Sequence, residues 1–181
     1  MAFDPKTGDV IRYDYLWAEE HRKGQVDGSK DRPCAVVLTA TPREDGSKRV
    51  MLVPITHTPP TADQGGIEIP AKVSKHLGLD DERSWIKTHE SNVLTWPKDR
   101  LPVGLTRAKA GQWKFGELPT PLEKKVFDDV GRQRRDRTMK QIERDEKPSK
   151  PRPKRTGTPR PKTSGKPRPG QNRNKDRGRD M

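Results

Sequence analysis

Short apolar runs, separated by charged segments and by segments rich in Gly and Pro, make up most of the chain before its basic end. The central run covers 35–38 and lies between a charged segment and the turn-like stretch 42–48. A short β-branched run with such flanks is typical of a buried strand. Residues 50–55 follow as its natural antiparallel partner. The pattern therefore predicts a hairpin of strands over 31–39 and 50–56.

Further short strands are predicted on both sides of this hairpin. Residues 9–17 alternate polar and apolar positions, which indicates a half-exposed strand, whereas 18–31 lacks apolar periodicity and is expected to be a long, charged, mobile loop. A two-turn helix is predicted over 71–77 with Gly78 as its C-terminal cap. Three more strands are predicted, at 67–69, 84–87 and 92–96. Five or six short strands with one small helix favour a compact barrel or sandwich.

A second helix is predicted to begin near Thr120. Pro121 follows at the first helical position and Glu123 lies three residues after the cap, which is the spacing of a capping box. The helix would pack one apolar stripe on the sheet through Leu122, Val126 and Val130. Beyond Gly131 the apolar spacing fades, so any continuation of the helix is expected to be solvated.

The charge of the chain is concentrated at its C-terminal end. The 39 Lys and Arg against 26 Asp and Glu give a net charge of +13. Residues 1–146 carry 26 cations and 24 carboxylates, or +2, and residues 147–181 carry 13 and 2, or +11. We therefore expect a nearly neutral folded domain over 1–146 and a disordered tail over 147–181, rich in Pro, Lys and Arg, that attracts polyanions.

Several classes of protein are disfavoured by composition. Cys34 is the single cysteine, so the sequence offers no internal disulfide and no cysteine cluster for a metal. No apolar window approaches the roughly 18 residues of a membrane-spanning helix, and the N-terminus lacks the apolar segment of a signal peptide. A soluble cytoplasmic protein without a cofactor or metal is expected.

The two central strands bring two polar residues to one rim of the predicted sheet. Antiparallel pairing places Arg32, at the start of one strand, near Thr56, at the end of the next. An Arg guanidinium can hold two phosphate oxygens and stays charged at any working pH. The plainer alternatives are that Arg32 pairs with Asp31 or a loop carboxylate, and that Thr56 is an ordinary strand residue.

The order of these motifs resembles the PemK/MazF family of toxins. That family combines a Gly-Asp-[Ile/Val] first strand, an Arg-Pro-x-x-Val-[Val/Leu] second strand and a Pro-Ile-Thr third strand. The matching residues are Gly8, Asp9 and Val10, then Arg32, Pro33, Val36 and Val37, then Pro54, Ile55 and Thr56, followed by Ile67, Glu68 and Ile69. The resemblance covers roughly residues 8–130.

The resemblance implies a small SH3-like barrel with a short inserted helix and a C-terminal helix. It also implies a homodimer that acts as a metal-independent endoribonuclease on single-stranded RNA and is inhibited by an antitoxin protein. Arg32 matches the catalytic arginine of the family and Thr56 its threonine. The loop before Arg32 is longer than in the family, so the acidic residue of that loop has two candidates by neighbourhood, Glu19 and Glu20.

Cleavage without a metal needs groups that take the 2′-hydroxyl proton and protonate the leaving 5′-oxygen. His21 and His57 are candidates because each lies in a loop next to a candidate site residue, although most lone loop histidines are idle. Trp17, at the mouth of the first loop, is the candidate for stacking on an unpaired base. Arg22 and Lys30 of the same loop are the candidate RNA-binding cations.

Two other functions fit the same sequence. The domain could bind RNA or a ribosome without cleaving it, using its rim and the basic tail. It could also be a regulatory protein whose domain pairs with another protein. Intact but bound RNA distinguishes the first alternative, and co-purification of a small acidic partner without any effect on RNA distinguishes the second.

Overall fold

Nine strands and three helices form the part of the chain that the computed structural model describes, residues 2–144. The strands are β1 (Asp9–Tyr13), β2 (Arg32–Thr39), β3 (Lys48–Thr56), β4 (Gly66–Glu68), β5 (Trp85–Lys87), β6 (Glu90–Trp96), β7 (Leu105–Thr106), β8 (Lys114–Glu117) and β9 (Lys140–Arg144). The helices are α1 (Ala18–Arg22), α2 (Ala71–Leu77) and α3 (Thr120–Arg135). None of these three helices has the length and apolarity needed to cross a bilayer.

The predicted central hairpin is confirmed. β2 and β3 pair antiparallel with Ala35 opposite Val53, and a bulge between Val36 and Leu38 shifts the register by one residue. Six consecutive residues of β3, 50–55, are buried. A run buried on both faces is continuous rather than alternating, which is why the sequence shows an uninterrupted apolar stretch here.

One large sheet surrounds this hairpin. The strands follow the order β4, β5, β3, β2, β1, β7, while β6 pairs with β3, β8 with β1, and β9 with β6. All pairs are antiparallel except β6 and β9, which run parallel. The predicted mainly β class is therefore confirmed. The sheet does not close on itself in the described residues, so the expected barrel is not confirmed.

Two apolar clusters cover the two faces of the sheet. The first joins Val10, Val53 and Ile86 with the inner stripe of α3, and the second joins Ile11, Leu52 and Trp96. The predicted stripe is confirmed, because Leu122, Val126 and Val130 are all buried in the first cluster. Full burial of each such side chain stabilises the fold by roughly 1.5–3 kcal/mol before entropy is counted.

The observed ends of the helices agree only in part with the ends predicted from the sequence. α2 covers 71–77 as predicted, and Gly78 caps it in the left-handed conformation with φ of 69°. The predicted capping box at Thr120 is wrong, because Pro119 is the cap and Thr120 is already helical, with no side-chain capping hydrogen bond. The Glu123 carboxylate lies against Gly8 instead.

Three other expectations are corrected. The segment expected to be an irregular loop, 18–31, begins with α1, and the first strand ends at Tyr13 rather than Trp17. The continuation of α3 to Arg135 is solvated only in part, because Gln133 is buried while its three arginines are exposed, and the chain then returns as β9. Strands β7, β8 and β9 were not predicted because each is short and carries little apolar periodicity. The tail predicted over 147–181 lies outside the described residues.

A buried amide fastens the segment between β1 and α1. Asn92, fully buried on β6, accepts a hydrogen bond from the Leu16 N–H at 2.9 Å and donates one to the Leu16 carbonyl at 2.7 Å. Arg144 donates to the Asn92 side-chain oxygen at 3.2 Å and to the Asp14 carbonyl at 2.8 Å. This network sets the direction in which the chain leaves β1 toward Trp17.

We expect Asn92→Ala to destabilise the protein by about 2–4 kcal/mol. The substitution leaves both backbone groups of Leu16 without their partner, and each unsatisfied buried group costs roughly 1–3 kcal/mol. Urea unfolding followed by intrinsic fluorescence measures the change. Thr95→Ala, at a half-buried position of the same strand, serves as control and should stay within about 0.5–1 kcal/mol of the parent. Equal effects of the two substitutions would contradict the role of the network.

Candidate functional site

A cavity of about 670 Å³ opens at the end of the central hairpin. Arg32, at the start of β2, and Thr56, at the end of β3, both line it. The strand register explains this position. Cys34 pairs with Pro54, and because the strands are antiparallel, Arg32 (two residues before Cys34) and Thr56 (two residues after Pro54) lie at the same rim of the sheet. The predicted proximity of Arg32 and Thr56 agrees with this geometry.

The lining of the cavity carries more positive than negative charge. Its charged residues are the cations Arg12, Lys30, Arg32 and Lys87 and the carboxylates Asp31 and Asp80. One of the two carboxylates, that of Asp80, already contacts the His57 ring at 2.8 Å. Aromatic and aliphatic residues, among them Trp17 and Phe115, complete the walls. The cavity therefore suits a ligand that is both anionic and partly apolar.

Arg32 lies with its guanidinium over the ring of Trp17. The guanidinium carbon is 4.7 Å from the ring centroid, within the range of a cation–π contact. The Arg32 Nε is buried and has no hydrogen-bond partner among the described residues. Asp31, its alternative partner, lines the same cavity. An anion that reached the Arg32 Nε would satisfy a polar group that the surrounding protein leaves without an acceptor.

Thr56 offers a hydroxyl at the same rim. Its Oγ1 accepts a hydrogen bond from the Thr58 N–H at 3.2 Å. A threonine hydroxyl has one proton to donate and two lone pairs, so the O–H of Thr56 keeps its donor capacity for a ligand. The local turn thus orients the side chain without using the group that a phosphate oxygen would need.

Lys87 is a cavity residue that the sequence reasoning missed. It ends β5 opposite Gly66, is only 8% exposed, and places its Nζ 5.7 Å from the Trp17 centroid. Burial lowers its pKa, with Arg32 adding to the decrease and Glu90 opposing it. A polar residue at the end of a short strand has no distinctive sequence signal, so only the fold brings Lys87 to Arg32.

His57 is fixed by the loop that precedes β5. Its Nδ1 lies 3.0 Å from the Arg83 carbonyl and its Nε2 lies 2.8 Å from the Asp80 carboxylate. The hydrogen bond to the Arg83 carbonyl raises the pKa of His57, the Asp80 carboxylate adds to the rise, and partial burial opposes it. With an acceptor beside each ring nitrogen, His57 joins β3 to residues 80–84, and these contacts favour its protonated form.

The predicted residues of the 18–31 segment divide into two groups. Trp17 and Lys30 line the cavity, whereas Glu20, His21 and Arg22 do not. Glu20 accepts a hydrogen bond from the Trp17 N–H at 3.1 Å and contacts the Ser29 hydroxyl, so it holds α1 together.

Three other residues of α1 are exposed to solvent. His21 and Arg22 are exposed there. Glu19 forms an exposed ion pair with Lys23 at 2.9 Å. These side chains are therefore placed away from the lining that contains Arg32 and Thr56.

Neither a metal site in the described residues nor a similar known protein points to a function for this cavity. Among residues 2–144, no group of three His, Cys, Asp or Glu side chains is arranged to hold a metal ion. The chain matches no family model, no curated protein and no solved structure. Any function must therefore be argued from the cavity and its chemistry.

We expect the His57 contacts to stabilise the fold more at low pH than at high pH. The pKa of His57 is raised in the folded protein, so its contribution is complete below the ordinary value near 6.5 and is lost as the pH rises through the folded-state pKa. The stability difference between the parent and His57→Gln should be larger at about pH 5.5 than at about pH 8.5.

Urea unfolding at the two pH values measures that difference. His76→Gln is the matched control, since His76 is exposed on α2. A difference between parent and His57→Gln that stays constant with pH would show that the imidazolium does not hold the 80–84 loop.

Proposed function

We propose that this protein is a metal-independent endoribonuclease acting on single-stranded RNA, similar to the PemK/MazF toxins. The observation that supports the proposal is the cavity itself: Arg32 and Thr56, the two residues that the resemblance marks as catalytic, line one cation-rich cavity. The SH3-like barrel, the homodimer and an antitoxin partner belong to the same proposal, because they come from the resemblance.

The proposed reaction is attack of a 2′-hydroxyl on the adjacent phosphate, which forms the 2′,3′-cyclic phosphate and breaks the bond to the 5′-oxygen; the 5′-oxygen leaves with a proton taken from water. Negative charge builds on the non-bridging oxygens in the transition state, and fixed cations and donors lower its energy. Arg32 would stabilise that charge through its guanidinium, whose buried Nε has no partner among the described residues. Thr56 would donate its hydroxyl to a second phosphate oxygen.

Lys87 is the proposed acceptor of the 2′-hydroxyl proton. A general base works best when its pKa lies near the working pH, and burial moves the pKa of Lys87 in that direction. His57 has the opposite shift and is held by two acceptors. Its proposed contribution is positive charge at the rim.

We expect the parent protein to cleave single-stranded RNA in excess chelator and to leave 2′,3′-cyclic phosphate ends. Arg32→Ala should lower the rate by about a hundredfold or more, as removal of a transition-state donor does. Thr56→Ala should lower it by about tenfold, the cost of one neutral hydrogen bond. End-group analysis and initial rates measure both effects.

Arg43→Ala is the control for this experiment. Arg43 is an exposed arginine of the β2–β3 turn that does not line the cavity, so its removal changes the net charge equally and should leave the rate unchanged. RNA that is bound by the cavity residues but stays intact would reject the nuclease and favour the RNA-binding module.

The role of Lys87 predicts a particular pH dependence. The cleavage rate of the parent should rise with pH as Lys87 loses its proton, with a midpoint below the ordinary lysine pKa of about 10.4. Lys87→Arg keeps the positive charge but cannot deprotonate, so the variant should be slow and its rate should lack this rise. The same midpoint in parent and variant would exclude Lys87 as the base.

A further inference from the structure

A short excursion of the chain, residues 107–113, lies beside the cavity and has no role in the proposed reaction. It leaves β7 and returns to β8 through a tight turn, closed by hydrogen bonds from the Ala108 N–H to the Gln112 carbonyl at 3.1 Å and from the Gln112 N–H to the Lys109 carbonyl at 3.0 Å. Gly111, at the tip, has φ of 72° and no atom near its α-carbon that a side chain would meet. We call this excursion the 107–113 hairpin.

The hairpin is anchored next to the cavity by strand register. Thr106 pairs with Arg12 and Lys114 pairs with Ile11, so the chain leaves and rejoins β1 at adjacent residues. Arg12 lines the cavity. With about 5.5 Å between paired α-carbons and 3.8 Å along the chain, the α-carbon of Arg107 lies within about 9 Å of that of Arg12.

A second contact joins the hairpin to other residues of the cavity lining. Lys109 donates from Nζ to the Phe115 carbonyl at 2.8 Å, and its side chain lies against Gly78. Phe115 and Gly78 both line the cavity. The hairpin is therefore continuous with the cavity wall.

The hairpin presents a stacked arginine and tryptophan. The Arg107 guanidinium carbon lies 4.3 Å from the Trp113 ring centroid, Arg107 is exposed, and Trp113 is half-buried. No carboxylate among the described residues forms an ion pair with Arg107. A half-buried ring with an exposed guanidinium stacked over it is a surface on which a base can stack while a phosphate is neutralised.

A second arginine–tryptophan pair in the protein differs from the pair of the 107–113 hairpin in the partner of its arginine. Arg83 lies 5.0 Å over Trp85, but Glu68 accepts hydrogen bonds from its Nε and Nη2 at 2.7 and 2.9 Å. The charge of Arg83 is therefore already neutralised within the protein, whereas that of Arg107 remains available to an external anion. Closing the 107–113 hairpin does not in itself require an arginine without a carboxylate partner at position 107.

We infer that Arg107 and Trp113 form a second nucleotide subsite, which stacks the base and binds the phosphate of a nucleotide that flanks the one held at Arg32. The inference rests on the proposed function, since it takes single-stranded RNA as the ligand. Arg12, exposed between the two places, continues the positive charge from the cavity to the hairpin. A ligand of one or two nucleotides would fill the cavity only, and a longer strand would also reach Trp113.

The test compares RNA ligands of two lengths that cannot be cleaved. The probes are 2′-O-methyl RNA of random sequence, as dinucleotides and as hexanucleotides, with binding measured by fluorescence anisotropy on the full chain. We expect Trp113→Ala to weaken hexanucleotide binding by about tenfold and to leave dinucleotide binding unchanged, as loss of one stacked base does. Arg32→Ala should weaken the binding of both probes.

Two further pairs of variants exclude misfolding and bulk charge as causes. Trp113→Phe keeps an aromatic face and should bind the hexanucleotide within about threefold of the parent. Arg107→Gln should weaken hexanucleotide binding, whereas Arg43→Gln, with the same change in net charge at an exposed arginine outside the cavity lining, should not. Hexanucleotide binding that survives Trp113→Ala but is lost in Arg32→Ala overturns the second subsite and keeps the proposed function. Binding of both probes that is insensitive to Arg32→Ala overturns the proposed function itself.

Discussion

The pairing of β3 with three other strands is the constraint on which the rest of the structure depends. β2 lies along one edge of β3, while β6 and β5 share the other edge, β6 along its first half and β5 at its end. Its buried residues contribute to the apolar clusters on both faces of the sheet. A strand so enclosed has one register that buries its side chains on the correct faces. That register fixes where β2 begins and where β3 and β5 end, and the cavity forms at those ends.

Two cations of the cavity share the ring of one tryptophan. Arg32 and Lys87 lie near one another, and each lowers the cost of its charge by approaching the Trp17 ring. The ring cannot cancel their mutual repulsion, which contributes to the lowered pKa of Lys87. An anion bound at Arg32 would offset the share of the repulsion that comes from that guanidinium, whereas the burial that mainly lowers the pKa of Lys87 would remain.

The residues that sequence reasoning located are those whose pattern is local. The hairpin and α2 follow from an apolar run and a glycine cap, and Arg32 and Thr56 follow from antiparallel pairing of that hairpin. Lys87 was missed because its importance comes from burial beside Trp17, which no spacing in the sequence records. β9 was missed because its single buried apolar residue, Ile142, gives no period. Thr120 was misassigned because Pro119 already directs the chain into α3.

The parallel strand β9 joins distant parts of the chain. Arg144, at its end, donates to the Asp14 carbonyl 130 residues earlier, while β9 supplies the outer neighbour of β6. Contacts of such sequence separation form late, because the intervening chain must first be ordered. During synthesis from the N-terminus, the segment that carries Trp17 therefore lacks this restraint until residue 144 has left the ribosome. Until then the Asn92 amide alone of these two side chains holds the segment, through Leu16, and the Arg144 contact to Asp14 is added last.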